Sequence, residues 1–113
     1  MSWCKVSNEI DLSTPFIRKV TARGRALCLV NAEGSLYALA AACPHAGADL
    51  SKGWCSNGKL VCPFHRYSYD LSTGRGTLGQ NDFVNVYPVQ VRKDGIYVEI
   101  NSWMDRVKEM FKS

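Results

Sequence analysis

Short runs of alternating apolar and polar residues follow one another along most of the chain, separated by turn-forming residues. Pairs of such runs predict three β-hairpins, in segments 26–40, 54–62 and 89–100. The second and third contain Asn57-Gly58 and Asp94-Gly95, which are preferred tight-turn pairs. The pattern therefore predicts an all-β fold.

The pattern changes between residues 40 and 76, where the runs shorten and glycine, proline and both histidines concentrate. This segment is typical of an insertion between two β halves. A helix is predicted only for residues 102–112, where Ser102 can cap and apolar side chains fall on one face. We expect this helix to close one end of the fold, with docking of a partner as the alternative.

Size and composition restrict the function classes. A chain of 113 residues with 46% hydrophobic and 21% charged residues predicts one soluble globular domain. No apolar run is long enough to cross a membrane, and the N-terminus lacks the pattern of a secretory signal, so we expect a cytoplasmic protein. The net charge of +4 is scattered without a basic stripe, which argues against binding to nucleic acid.

The cysteines and histidines form one constellation. Five cysteines in a reducing compartment indicate metal binding or burial rather than disulfides. The two histidines each follow a cysteine, in Cys43-Pro44-His45 and Cys62-Pro63-Phe64-His65. A tetrahedral zinc site is one interpretation, but zinc knuckles usually take both cysteines from one turn and both histidines from another. One of each per loop suits a binuclear centre better, with both sulfurs on one iron and both nitrogens on the other.

The spacing C-x-H, sixteen residues, C-x-x-H, followed by Tyr69-Asp70, resembles the Rieske [2Fe-2S] motif. The resemblance implies one cluster, with Cys43 and Cys62 on the inner iron and His45 and His65 on the outer iron. It also implies a single domain over residues 1–113. Its parts would be a β-sandwich base domain (1–42 and 76–100), an inserted cluster-binding β subdomain (43–75) and the C-terminal helix.

Several neighbours of the four ligands bear on the reduction potential. High-potential Rieske proteins have two further cysteines, at the positions of Ala48 and Phe64, and a serine at that of Tyr67, so this chain resembles the unbridged, lower-potential branch. By the same resemblance the Tyr69 hydroxyl bonds a ligand cysteine. Gly47 would let the first loop turn over the cluster, and the charge of Arg66 would favour reduction.

The cysteines outside the motif, Cys4, Cys28 and Cys55, are expected to be small buried hydrophobes, and Trp54 is expected to pack in the core of the small subdomain. None of them is at ligand spacing from the motif.

The resemblance implies a one-electron carrier similar to the Rieske ferredoxins. These pass electrons from a flavin reductase to a ring-hydroxylating oxygenase, and the carrier itself catalyses no bond change. Two alternatives stay open at this point: a small Rieske-like subunit of an assimilatory nitrite reductase, and a zinc-stabilised binding module.

Overall fold

A computed structural model describes residues 3–9, 11–44, 47–64, 66–77 and 82–100. The helix predicted for 102–112 lies outside these ranges. Within them the chain forms ten strands and one 3-10 turn: β1 (Trp3–Ser7), β2 (Phe16–Ala22), β3 (Arg25–Ala32), β4 (Ser35–Ala40), the turn Leu50–Lys52, β5 (Trp54–Ser56), β6 (Lys59–Val61), β7 (Ser68–Asp70), β8 (Val86–Tyr87), β9 (Val89–Arg92) and β10 (Gly95–Glu99).

The strands make three antiparallel sheets. The central sheet has the order β2-β3-β4-β8, the terminal sheet β1-β10-β9, and the small sheet β5-β6-β7. The small sheet is formed entirely by the chain between β4 and β8. The prediction of an all-β fold is confirmed.

All three predicted hairpins are present, as β3-β4, β5-β6 and β9-β10. The turn of the last one differs by one residue from the expectation. Gly95 pairs with Arg92 as the first residue of β10, so the two-residue loop is Lys93-Asp94. β9 begins directly after Pro88 at the edge of its sheet, where a residue without a backbone N–H is tolerated.

The central sheet is covered on both faces. Leu27 and Ala38 pack with Val98 and Ile100 in the core facing the terminal sheet. The opposite face contributes Cys28, Val30 and Leu39 to a second core, which it shares with the small sheet and its loops. Because both faces are covered, β3 is buried almost continuously, and its apolar run does not alternate with polar residues.

The second core is what fixes the loops that follow β4 and β6. Leu50, Leu60 and Leu71 are buried in it together with Cys43 and Cys62. Among the described residues, no helix is long and apolar enough to span a membrane.

Candidate functional site

The first loop, residues 43–48, is closed by its own backbone. The Cys43 N–H donates to the Ala48 carbonyl at 2.8 Å, and the Gly47 N–H donates to the Cys43 carbonyl at 2.7 Å. Gly47 has φ +68°, a left-handed conformation that glycine adopts at little cost. The glycine expected to turn this loop therefore does so.

The second loop, residues 62–67, is closed in the same way. The Cys62 N–H donates to the Tyr67 carbonyl at 2.6 Å, and Arg66 is left-handed with φ +57°. In each loop a cysteine N–H thus donates to the carbonyl five residues later, and the residue before that carbonyl has positive φ. His45 and His65 lie within these two loops but outside the described residues.

The two cysteines are buried side by side. Cys43 is 1% exposed and Cys62 is 0% exposed, and both belong to the core beneath the small sheet. Burial raises the pKa of the Cys62 thiol and the neighbouring Cys43 thiol raises it further, while a hydrogen bond with the Phe64 backbone lowers it. The thiolate form is disfavoured in two adjacent buried cysteines, because burial and mutual repulsion oppose negative charge. A bound cation stabilises the thiolate form instead. This donor pair therefore fits a thiolate-bound metal group.

Tyr69 connects this pair of cysteines to Asp82. Its side chain is fully buried, and its hydroxyl oxygen lies 3.3 Å from Cys43 Sγ. The same hydroxyl donates to Asp82 Oδ2 at 3.0 Å. Burial raises the pKa of Tyr69, and its contacts with Cys43 and Asp82 act in the same direction. The contact between the Tyr69 hydroxyl and a cysteine that the resemblance implied is present.

Asp82 lies outside the ligand motif, and nothing in the neighbouring sequence marks it as a site residue. The contact spans thirteen residues along the chain, and no local pattern signals such a pairing.

The two positions that hold the bridging cysteines in high-potential Rieske proteins carry no thiol in this chain. Ala48 is buried, whereas Phe64 is 59% exposed beside His65. Tyr67 is half-buried and packs against the core, while Arg66 is exposed. None of the five cysteines is paired in a disulfide.

Expectations for the remaining residues hold only in part. Cys28 is fully buried, as predicted, but Cys4 and Cys55 are only half-buried. The prediction that Trp54 packs in the small subdomain is wrong, because its side chain is 45% exposed. Its strand, β5, lies at the edge of the small sheet and has only three residues.

Comparisons with known proteins agree with this geometry. The family model of the Rieske [2Fe-2S] domain matches residues 2–88. The ferredoxin component of the naphthalene 1,2-dioxygenase system of Pseudomonas putida is 26% identical over 89% of this chain and 98% of its own length. The corresponding component from Pseudomonas aeruginosa is 31% identical, over 73% of this chain and 80% of its own.

A solved structure is similar as well. One chain in the complex of reduced oxygenase and oxidized ferredoxin of carbazole 1,9a-dioxygenase superposes with a TM-score of 0.75 and is 27% identical. The match covers 88% of this chain and 97% of that one. The similarity therefore extends over the described fold as a whole and is not confined to the two loops.

Proposed function

The chain belongs to the Rieske [2Fe-2S] domain family and carries one [2Fe-2S] cluster as an electron carrier, and we propose that it is the ferredoxin component of an oxygenase system. The observation that carries this proposal is the mutual coverage with the Pseudomonas putida ferredoxin component, 89% of one chain and 98% of the other. That relationship favours a free carrier over a nitrite reductase subunit, and family membership favours iron over zinc.

Cys43 and Cys62 are proposed to bind the inner iron, and His45 and His65 the outer iron. The burial of the two cysteines and their contact with each other support this assignment. The shared closure of the two loops supports it too, because the same backbone hydrogen bond joins the ends of two segments that each contain one cysteine and one histidine in sequence. Residues 43–75 then form the cluster-binding subdomain between the two parts of the base domain.

When bound, the cluster supplies a single reversible electron step. The chain's own contribution is the environment. Leu50, Leu60 and Leu71 exclude water from the cysteine side, and the Tyr69 hydroxyl oxygen lies 3.3 Å from Cys43 Sγ. No substrate bond is made or broken by any of these residues.

Phe64 supports a docking face around the second loop. Its exposed aromatic ring stands one residue from His65, where electrons would leave. The proposed partners are a reductase as electron donor and an oxygenase as acceptor. The net charge of +4 suits an acidic partner surface, because complementary charge speeds transient encounters.

The thiol chemistry supports a cytoplasmic location. Five free cysteines, two of them proposed as metal ligands, persist best where thiols are kept reduced. The proposed location is thus the cytoplasm.

The test uses the reductase and oxygenase components encoded in the same genome. With NADH, both components and the holoprotein, we expect the oxygenase to be reduced and to form product only when this protein is present. Phe64→Ser should slow reduction of the oxygenase about tenfold with little change in potential. Val91→Ser is the matched control, since Val91 is 47% exposed on the terminal sheet and its loss should leave the rate unchanged.

An oxygenase reduced equally fast without this protein would contradict the carrier function. Equal rates for the two variants would leave the carrier function standing and contradict the docking face.

A further inference from the structure

The Tyr69 hydroxyl faces two acceptors and has one proton. Asp82 Oδ2 lies 3.0 Å from its oxygen and Cys43 Sγ lies 3.3 Å from it. A carboxylate only accepts, and a cysteine that binds metal has lost its own proton. The hydroxyl can therefore donate fully to one of the two, and the other is left facing an oxygen lone pair.

We propose that Asp82 is a positioning residue that draws the Tyr69 proton away from Cys43 and so holds the reduction potential of the protein low. The inference rests on the proposed function, in which Cys43 is a ligand of the cluster. Nothing in the ligand motif itself requires an acceptor at this position.

The direction follows from charge. Reduction adds one electron and breaks no bond, so it makes the centre more negative, and hydrogen bonds to its sulfurs stabilise that form. Diverting the Tyr69 proton to Asp82 removes such a bond. The negative charge of the carboxylate opposes reduction in the same direction.

Because Tyr69 is buried, the competition between Asp82 and Cys43 for its proton affects the environment of Cys43. Tyr69 is 0% exposed, so water has little access to replace a proton withheld from Cys43. The Asp82 carboxylate keeps its full negative charge, whereas the Cys43 thiolate would share its charge with iron. The charge-assisted hydrogen bond to the carboxylate is therefore the stronger of the two.

The backbone holds Asp82 in place. The Gly76 N–H donates to the Asp82 carbonyl at 2.9 Å, and Gly76 itself pairs with Tyr69 across an antiparallel bridge. The neighbouring Phe83 pairs with Arg75. The carboxylate is thus fixed opposite the strand that carries the tyrosine.

The test is a potentiometric cycle on the holoprotein with Asp82→Asn, Tyr69→Phe and the double variant. We expect Asp82→Asn to favour reduction about tenfold, which is about 59 mV for a one-electron couple. Tyr69→Phe should change the potential little in the parent protein but lower it clearly in the Asp82→Asn background. Resonance Raman bands of the iron–cysteine bonds should shift only in variants that change the hydrogen bond to Cys43.

Asp49→Asn is the matched control. It removes one carboxylate charge from the same subdomain, but Asp49 bonds to Ser51 and Lys19 rather than to Tyr69. Its effect on the potential should be smaller, and independent of Tyr69.

The proposal would be overturned if the effects of Asp82→Asn and Tyr69→Phe on the reduction potential are additive, or if Asp49→Asn and Asp82→Asn shift the potential equally. Either result would mean that the Asp82 carboxylate acts only through its charge. If Asp82→Asn fails to fold, a large fall in potential for Tyr69→Phe alone would overturn it as well. Retention of the cluster by Cys43→Ser would instead contradict the proposed ligation, so the two failures are distinguishable.

Discussion

Gly53 lies so close to the backbone of Val61 that a β-carbon on Gly53 would be 1.8 Å from the Val61 carbonyl oxygen. Gly53 ends the 3-10 turn that follows the first loop, and Val61 directly precedes Cys62. The close approach therefore fixes how near the two loops can come. Gly53 has φ −85°, so its role depends on the missing side chain and not on a left-handed backbone.

We expect Gly53→Ala to force the two backbones apart and to lower both cluster content and thermal stability. Gly58→Ala is the control: Gly58 has φ +76°, and its added β-carbon would meet nothing within 4 Å. That variant should lose about 1–2 kcal/mol through backbone strain but keep its iron. Iron per chain and melting temperature measure the two effects, and full iron content in Gly53→Ala would contradict the close-approach argument.

Arg66 combines backbone strain with a positive charge. Its φ of +57° costs a non-glycine residue about 1–2 kcal/mol. A glycine at this position avoids that cost but destabilises the folded protein by about 0.4–1 kcal/mol, because it increases the entropy of the unfolded chain. Arg66→Gly should therefore leave stability unchanged or raise it by up to about 1.6 kcal/mol. The loss of charge should lower the reduction potential, and Arg66→Lys should restore it. A potential that is the same in all three proteins would show that this charge does not act on the cluster.

Asp49 caps the 3-10 turn after the first loop and makes the fold sensitive to acid. Hydrogen bonds from Ser51 lower the pKa of the Asp49 carboxyl below its ordinary value of 3.8, and Lys19 lowers it further. A lowered folded-state pKa gives stability above about pH 4 that is lost as the pH falls through the folded-state value.

We expect Asp49→Asn to be less stable than the parent protein at pH 6 and the difference to shrink toward pH 3. Asparagine caps about as well as aspartate, so Asp49→Ala should lose about a further 1 kcal/mol at any pH. Apparent melting temperatures at one scan rate between pH 6 and pH 3 measure this. A difference between parent and Asp49→Asn that does not change with pH would contradict the role of the carboxylate.

Much of the fold could be predicted from the sequence because its signals are local. The pair Asn57-Gly58 specifies its hairpin through turn chemistry, and the alternation through Ile96 and Val98 reports a strand with one buried face. The contact of Asp82 with Tyr69, the fit of Gly53 against Val61 and the exposure of Trp54 depend on how separate segments meet. No local pattern carries that information.

The ligand set can be tested by substitution. Cys43→Ser, Cys62→Ser, His45→Ala and His65→Ala should each lose the visible absorption of the cluster, because each removes one of the four proposed bonds to iron. Cys55→Ser and Cys28→Ala should keep it; alanine is chosen for Cys28 because that side chain is fully buried and a hydroxyl would lack a partner. Cluster loss in the two controls combined with retention in the four ligand variants would contradict the assignment.

The most direct test uses the fact that the chain has only two histidines. Electron paramagnetic resonance and ENDOR spectra of the dithionite-reduced protein, labelled with ¹⁵N only in histidine, report whether both imidazoles bind the cluster. We predict a signal of one unpaired electron per chain with hyperfine coupling to two ¹⁵N nuclei. A cluster signal without nitrogen coupling, or a colourless protein that contains zinc and gives no signal, would contradict the account.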